Sequence, residues 1–266
     1  MSLQQVNFQG LNKIEVSIKR CQEHEPPEGY YFADSYGKDS CAVDRILDMS
    51  GVKHDAHYSK GGLDPLELVR FGNEYHPDTI VEHPEISVWE GIQKKGMPRR
   101  QSRWCCELIK EKHGAGRVVV TGIRWAESPR RALRKIFEVS KYDPTKHFLN
   151  PIIDWTTSDV WDFIHQQQIP YSMLYEERFH GRKVFKRLGC VLCPMETRRQ
   201  TLFELNRFPD LAEAWHKSCI KYWEKGNEGT KRWKSGEEMW QWWLSRERGV
   251  QGHQCLDMFK GFSFDN

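Results

Sequence analysis

Two groups of residues have types and spacings that do chemistry. The stretch Phe32-Ala33-Asp34-Ser35-Tyr36-Gly37-Lys38-Asp39-Ser40 joins an aromatic, strand-like run to an apolar run with helical spacing. A glycine at a strand-to-helix turn lets the backbone approach a ligand closely. The amides that open the following helix point at that ligand, and the helix dipole favours an anion there. Lys38 adds positive charge, and Ser35 and Ser40 add hydroxyl donors. The expected object is a phosphate cradle. It is not the G-x-x-x-x-G-K-[ST] loop, because no upstream glycine has the required spacing. The second group is thiol-based: adjacent Cys105 and Cys106, then Cys190-Val-Leu-Cys193-Pro. In a reducing compartment such pairs point to metal before disulfides. Adjacent cysteines seldom both ligate one zinc, whereas a cubane iron-sulfur cluster also takes four thiolates. Zinc and free buried thiols remain the alternatives. Arg99, Arg100, Arg103 and Lys110 flank the first pair and would offset a thiolate-rich, anionic centre, or form a solvated basic face.

These groups need elements to position them. Gly29–Asp34, Val52–Tyr58, Thr79–Val81 and the β-branched run 117–121 read as strands, and 150–154 as a further short segment ending in a turn. Residues 41–49 and 63–75 read as helices, and Thr156 with Asp159 has capping-box spacing ahead of Val160, Trp161, Phe163 and Ile164. Strands alternating with helices to about residue 165 predict an α/β fold, an open and mainly parallel sheet flanked by helices. After about residue 196 the strand signals stop. Residues 202–225 read as helical with a break at Pro209, and Ser235 with Glu238 predicts a capped helix to 248. The expected organisation is an α/β domain over 1–198 and a helical C-terminal appendage over 199–266. The stretch 176–189 reads as a basic loop.

Composition narrows the function classes. The 266 residues carry a formal net charge of only +3, too little to argue for a nucleic-acid partner by itself. The apolar fraction is 38% and the charged fraction 29%, which suits a soluble protein with a very polar surface. No apolar run approaches the ~18–20 residues that span a bilayer. The N-terminal stretch has no apolar signal core. A cytoplasmic location without membrane association is expected.

The loop resembles the S-G-G-K-D-S signature of the PP-loop (N-type) ATP pyrophosphatases, with Tyr36 in place of the first glycine. Three further segments resemble the phosphoadenosine-phosphosulfate (PAPS) reductase family: Thr121-Gly-Ile-Arg-Trp-Ala-Glu-Ser-Pro-Arg-Arg-Ala132, Asn150-Pro-Ile-Ile-Asp-Trp-Thr-Thr-Ser-Asp-Val-Trp161 and Ile169-Pro-Tyr-Ser-Met-Leu-Tyr175. The resemblance covers roughly residues 28 to 195 and implies an adenine nucleotide alpha hydrolase-like fold. Gly122 and Arg124 follow a strand end, the edge at which open α/β sheets bind ligands. The implied nucleotide-binding set is Ser35, Gly37, Lys38, Asp39, Ser40, Gly122 and Arg124. Lys38, Asp39 and Arg124 carry the implied chemistry, and the loop residues are expected at the surface. The C-C … C-x-x-C arrangement is similar to that of adenylylsulfate (APS) reductases and of the DNA phosphorothioation sulfur-transfer enzymes. It implies a [4Fe-4S] cluster on Cys105, Cys106, Cys190 and Cys193.

Two enzyme readings follow from the resemblance. The intact Lys38-Asp39-Ser40, with the Trp-Ala-Glu-Ser after Arg124, favours an ATP- and Mg²⁺-dependent enzyme. It would adenylate its substrate, release pyrophosphate and support sulfur insertion, with the DNA backbone or a tRNA base as candidate acceptor. The sulfur would come from a partner cysteine desulfurase, the cluster or a bound persulfide. The alternative is an APS/PAPS reductase, which needs a nucleophilic cysteine in an E-C-G-[IL]-H tail. Cys255 lies near that place, but the motif is absent. A non-catalytic nucleotide-binding module is a third reading. Trp215, Trp223, Trp233, Trp240, Trp242 and Trp243 are expected to pack the helical tail. Any ring left outside, beside Lys225, Lys231, Arg232 and Lys234, suits a nucleotide or a partner protein.

Overall fold

The computed structural model describes residues 3–7 and 10–245. Cys255 and the end of the expected last helix lie outside the described residues. In chain order the strands are β1 (Tyr30–Asp34), β2 (His54–Ser59), β3 (Ile80–Glu82), β4 (Val118–Val120), β5 (Phe137–Val139), β6 (His147–Leu149), β7 (Arg178–Phe179) and β8 (Arg182–Lys183). The helices are α1 (Lys13–Glu23), α2 (Lys38–Ser50), α3 (Leu66–Tyr75), α4 (Val88–Lys95), the short turn α5 (Trp104–Cys106), α6 (Thr157–Gln166), α7 (Arg198–Arg207), α8 (Pro209–Glu224) and α9 (Gly236–Ser245).

The described chain divides into two compact units. The first takes the chain up to Ser59, Leu66–Glu82 and Lys112–Leu174. The second takes Lys60–Pro65, His83–Glu111 and the described chain from Tyr175 on. This division differs from the expected boundary at 198. Residues 83–111 and 175–198 make their contacts with the helices that follow, so sequence position does not track the unit.

The first unit is the expected α/β architecture. Its six-stranded sheet has the order β3-β2-β1-β4-β6-β5. Strands β1 to β4 and β6 pair in parallel, and β5 runs antiparallel at the edge. β1 is central and almost wholly buried, as its run Tyr-Tyr-Phe-Ala-Asp requires. Tyr30, Phe32, Val120 and Leu149 from the sheet pack with Ile46 and Leu47 of α2 and Val160 and Phe163 of α6. α6 opens with the capping box of Thr156 and Asp159. The segment 150–154 is a turn following β6, not a strand. The three-residue strands β5 and β6, and α1, were not foreseen. Alternation cannot be recognised over so few residues. α1 did carry a signal, since Asn12 and Glu15 form a capping box.

In the second unit Pro209 ends one helix and starts the next, α7 to α8, as its missing N–H dictates. Trp215 stacks on Trp243 at 5.0 Å between centroids, and Trp243 on Trp240 at 5.4 Å. These rings are buried and pack α8 against α9. The basic stretch after Glu177 is not all loop: β7 and β8 form a small antiparallel hairpin. α4 was missed, although Ser87 and Glu90 form a capping box at its start.

Candidate functional site

The phosphate-cradle candidate sits where β1 hands over to α2. Gly37 is the helix N-cap, with extended backbone and no side chain to cap the first amides. Those amides are left to the backbone and to a ligand. Ser35 and Ser40 close the turn: the Ser35 N–H donates to Ser40 Oγ at 3.1 Å, and the two hydroxyls lie 2.8 Å apart. Tyr36, the departure from the glycine signature, has φ +57°. It thus takes the left-handed backbone that glycine adopts without cost. Its N–H donates to Asp34 Oδ1 at 2.8 Å, and its ring stacks on Tyr58 at 4.3 Å. Gly72 makes room, since a Cβ there would come within 2.3 Å of the Tyr36 ring.

Lys38 and Arg124 are each only 1% exposed, so the surface position expected of the loop residues is wrong for Lys38. Both cations converge on Asp39. Lys38 Nζ donates to Asp39 Oδ2 at 2.7 Å, and Arg124 Nε to Asp39 Oδ1 at 2.8 Å. Arg124 also donates to the Trp155 carbonyl at 3.2 Å. Gly122 lies against the same helix start, where a Cβ would meet the Asp39 backbone at 3.0 Å. Ser35, Gly37, Lys38, Asp39, Ser40, Gly122 and Arg124 therefore surround one helix N-terminus. A charge-paired cradle of this kind can take an anion by exchanging partners at Lys38 and Arg124.

The second unit gathers the four cysteines. Cys105 is buried, and Cys106, Cys190 and Cys193 are half-buried. The charges of Cys106, Cys190 and Cys193 all act on Cys105. A hydrogen bond between Cys105 and Cys106 pushes the Cys105 thiol up and draws Cys106 down, with Arg103 and Lys110 adding to the second effect. Burial pushes the Cys190 thiol up. Lys110 holds its proton more firmly, first because of Cys190. Among the described residues no group of three or more His, Cys, Asp or Glu is arranged to hold a metal ion.

Other residues fix the backbone of these loops, and the sequence did not single them out for that work. Leu192 has φ +58°, and its N–H donates to the buried Glu204 Oε2 at 2.6 Å. Trp215 Nε1 donates to the Val191 carbonyl at 3.1 Å, and Trp243 Nε1 to the Pro98 carbonyl at 2.7 Å. Arg100, expected as a counter-charge, is spent on the carbonyls of Pro194, Met195 and Glu196. No spacing rule marks these partners.

The model of the phosphoadenosine phosphosulfate reductase domain matches residues 32–196, more than half of the chain. The chain belongs to this family. Within it, an uncharacterized protein of Methanocaldococcus jannaschii is 31% identical over 233 residues, covering 81% of this chain and 46% of its own length. The chain spans about half the length of the archaeal relatives it matches. Adenosine 5'-phosphosulfate reductase 2 of Bacillus subtilis is 27% identical over 184 residues, or 63% of this chain and 73% of that one. Among solved structures, the PAPS reductase of Candida auris in its phosphate complex is 17% identical with a TM-score of 0.46, covering 66% of this chain and 94% of that chain. The family match begins at β1 and ends just past Cys193, so it takes in the loop, Gly122, Arg124 and all four cysteines. Among the described residues no helix is long and apolar enough to cross a membrane.

Proposed function

We propose that this chain is an ATP-binding sulfur-transfer enzyme. An oxygen of its substrate attacks the α-phosphorus, the bond to the β-phosphate oxygen breaks, and pyrophosphate leaves. Sulfur then displaces AMP from the activated substrate. The observation that carries this reading is the pair of buried cations, Lys38 and Arg124, bridged by Asp39 at the uncapped start of α2. A triphosphate seated there would draw both cations from Asp39, and the helix amides would receive its oxygens. Mg²⁺ would offset the remaining phosphate charge.

Cys105, Cys106, Cys190 and Cys193 would hold a [4Fe-4S] cluster. Support comes from the donor chemistry, four thiols whose charges act on one another with Lys110 as counter-charge, and not from a preformed ligand geometry. Four thiolates are the usual ligands of a cubane, which would supply an electron- or sulfide-handling centre. Zinc is the alternative for the same thiols. The sulfur acceptor in this reading is the DNA backbone or a tRNA base, with a cysteine desulfurase or bound persulfide as donor. Sulfonucleotide reduction is the second reading, favoured by the likeness to the Bacillus subtilis enzyme.

The test is anaerobic purification with iron, sulfide and zinc assays, followed by binding of ATP, APS and PAPS side by side and by ATP–pyrophosphate exchange. The expected result is a brown protein with about four irons per chain and a preference for ATP. Lys38→Ala should weaken ATP by about a hundredfold, the scale of one charge-assisted contact to phosphate. Wild-type-like ATP affinity in that variant would remove the cradle. Tight binding of APS without ATP would select the second reading. A colourless protein with one zinc per chain would overturn the cluster.

A further inference from the structure

Behind the nucleotide loop stands a histidine that no part of the loop motif supplies. His76 follows α3, and its Nδ1 lies 3.2 Å from Asp34 Oδ2 and 3.4 Å from Asp44 Oδ2. Its Nε2 lies 3.8 Å from Cys41 Sγ. The Asp34 side chain is fully buried. One of its oxygens accepts the Tyr36 N–H that fixes the left-handed turn; the other, Oδ2, is buried without a hydrogen-bond partner. The charge facing that second oxygen is the imidazole of His76. A buried carboxylate without an opposite charge is expensive, so the ionised Asp34 depends on that imidazole being protonated. His76 also lines a cavity of about 220 Å³ with Cys41, Asp44, Arg45 and Asp48.

We propose that His76 is a positioning residue for the nucleotide loop and makes nucleotide binding pH-dependent. Its imidazolium holds Asp34 as a carboxylate, Asp34 holds the Tyr36 amide, and the turn slackens when the imidazole loses its proton. The groups facing His76 are Asp34 from β1, Asp44, Asp48 and Cys41 from α2, with Arg45 of α2 and Tyr75 of α3 on the same cavity, and the rings of Tyr36 and Phe71. Burial alone would push the imidazole down. The hydrogen bond to Asp44 and the charges of Asp34, Asp44 and Asp48 outweigh it, and the net direction is up. Burial pushes Asp34 up to about 6, against the pull of His76 and the Tyr36 N–H. The ion pair forms where Asp34 has lost its proton and His76 has kept its own. A raised histidine contributes its stabilisation below its ordinary value, and that contribution is lost as pH rises through the raised value. The loop should weaken on the alkaline side.

The functional consequence rests on the nucleotide-binding reading above; the loop mechanism does not. The experiment follows the His76 ring resonance, the hydrogen exchange of the Tyr36 amide and ATP affinity from about pH 6 to 9, across the ordinary histidine value of about 6.5. It uses wild type, His76→Asn and Asp44→Asn. The wild-type ring should titrate above about 6.5, and ATP should weaken by about tenfold across that midpoint, the scale of one pKa step. His76→Asn should bind ATP about tenfold more weakly at neutral pH and lose the alkaline limb. Asp44→Asn, at a partly exposed position, removes one anion and should move the ring midpoint and the limb together to lower pH. A ring midpoint at or below about 6.5, or an unchanged pH profile in His76→Asn, overturns the proposal. If ATP fails to bind at any pH, the proposed function falls, while the ring titration and the Tyr36 amide still decide the role of His76. If His76→Asn does not fold, a limb that stays in place in Asp44→Asn overturns it.

Discussion

In the α/β unit, Ser35 to Ser40 close through hydrogen bonds that reach at most five residues along the chain, backed by the Tyr58 ring, Gly72 and the Arg124–Asp39 ion pair. The cysteine loops of the other unit are also held by side chains of other segments. Arg100, which flanks the first cysteine pair, binds the backbone after the second, and Glu204, Trp215 and Trp243 bind backbone from α7, α8 and α9. The difference lies in what each place must tolerate. Asp39 sits between two cations there, so an anion entering the proposed cradle would exchange partners at Lys38 and Arg124. At the cysteines, negative charges would oppose one another, and burial pushes the Cys190 thiol up. Much of the backbone there is bound by side chains from other segments.

Substitutions can break or sharpen this contrast. Asp39→Ala should have the largest effect, because it strands two buried cations. A loss of about 3–5 kcal/mol is expected, the cost of removing one partner from a buried pair. Chemical denaturation measures it, and a loss below about 1 kcal/mol, the range of an exposed pair, would show that Lys38 and Arg124 are solvated. Glu204→Ala should cost about 1–3 kcal/mol by orphaning the Leu192 amide. It should also lower iron content while leaving ATP affinity near wild type; a change in ATP affinity alone would contradict the separation of roles. Trp243→Phe keeps an aromatic ring but removes the donor to Pro98 and part of a buried, stacked indole, for about 1–3 kcal/mol. It should make a bound metal more accessible to a chelator, with the far-ultraviolet circular dichroism of the helices unchanged. Ser35→Ala is expected to be the mildest, at about 0.5–1.5 kcal/mol for one hydroxyl contact, since the Ser40 Oγ still accepts the Ser35 amide. If it instead matched Asp39→Ala, the turn and not the ion pair would be what holds the loop.

Much of the first unit was legible because its signals are local. β1 and β4 announce themselves by buried or β-branched runs, and α6 by its capping box. The loop is six contiguous residues, so the covalent chain fixes their neighbourhood. Arg124 was legible as well, since it follows a strand end in a parallel sheet and strand ends share one edge. Its burial was not, because burial depends on Trp155 and Asp39 arriving around it. Tyr36 shows the limit clearly. From sequence it is a departure from glycine. Only Tyr58 and the bare Gly72 make the left-handed turn affordable for a tyrosine.

The sequence by itself determined the chemistry available: a lysine, an aspartate and two serines at one strand-to-helix turn, and four cysteines in two close pairs. The covalent spacing of a few residues is enough for that, because neighbours in the chain remain neighbours in space. The tertiary structure alone decided which unit each segment joins, that Lys38 and Arg124 are buried, that His76 faces Asp34, and that Glu204 and two tryptophans hold the cysteine loops. These contacts join residues from 12 to 145 positions apart. A side chain that donates to a distant backbone carbonyl can be one of many donors of its type, and its partner carries no side-chain signature at all. What selects the pair is the packing that brings the two segments together, and that is settled only when the whole core closes.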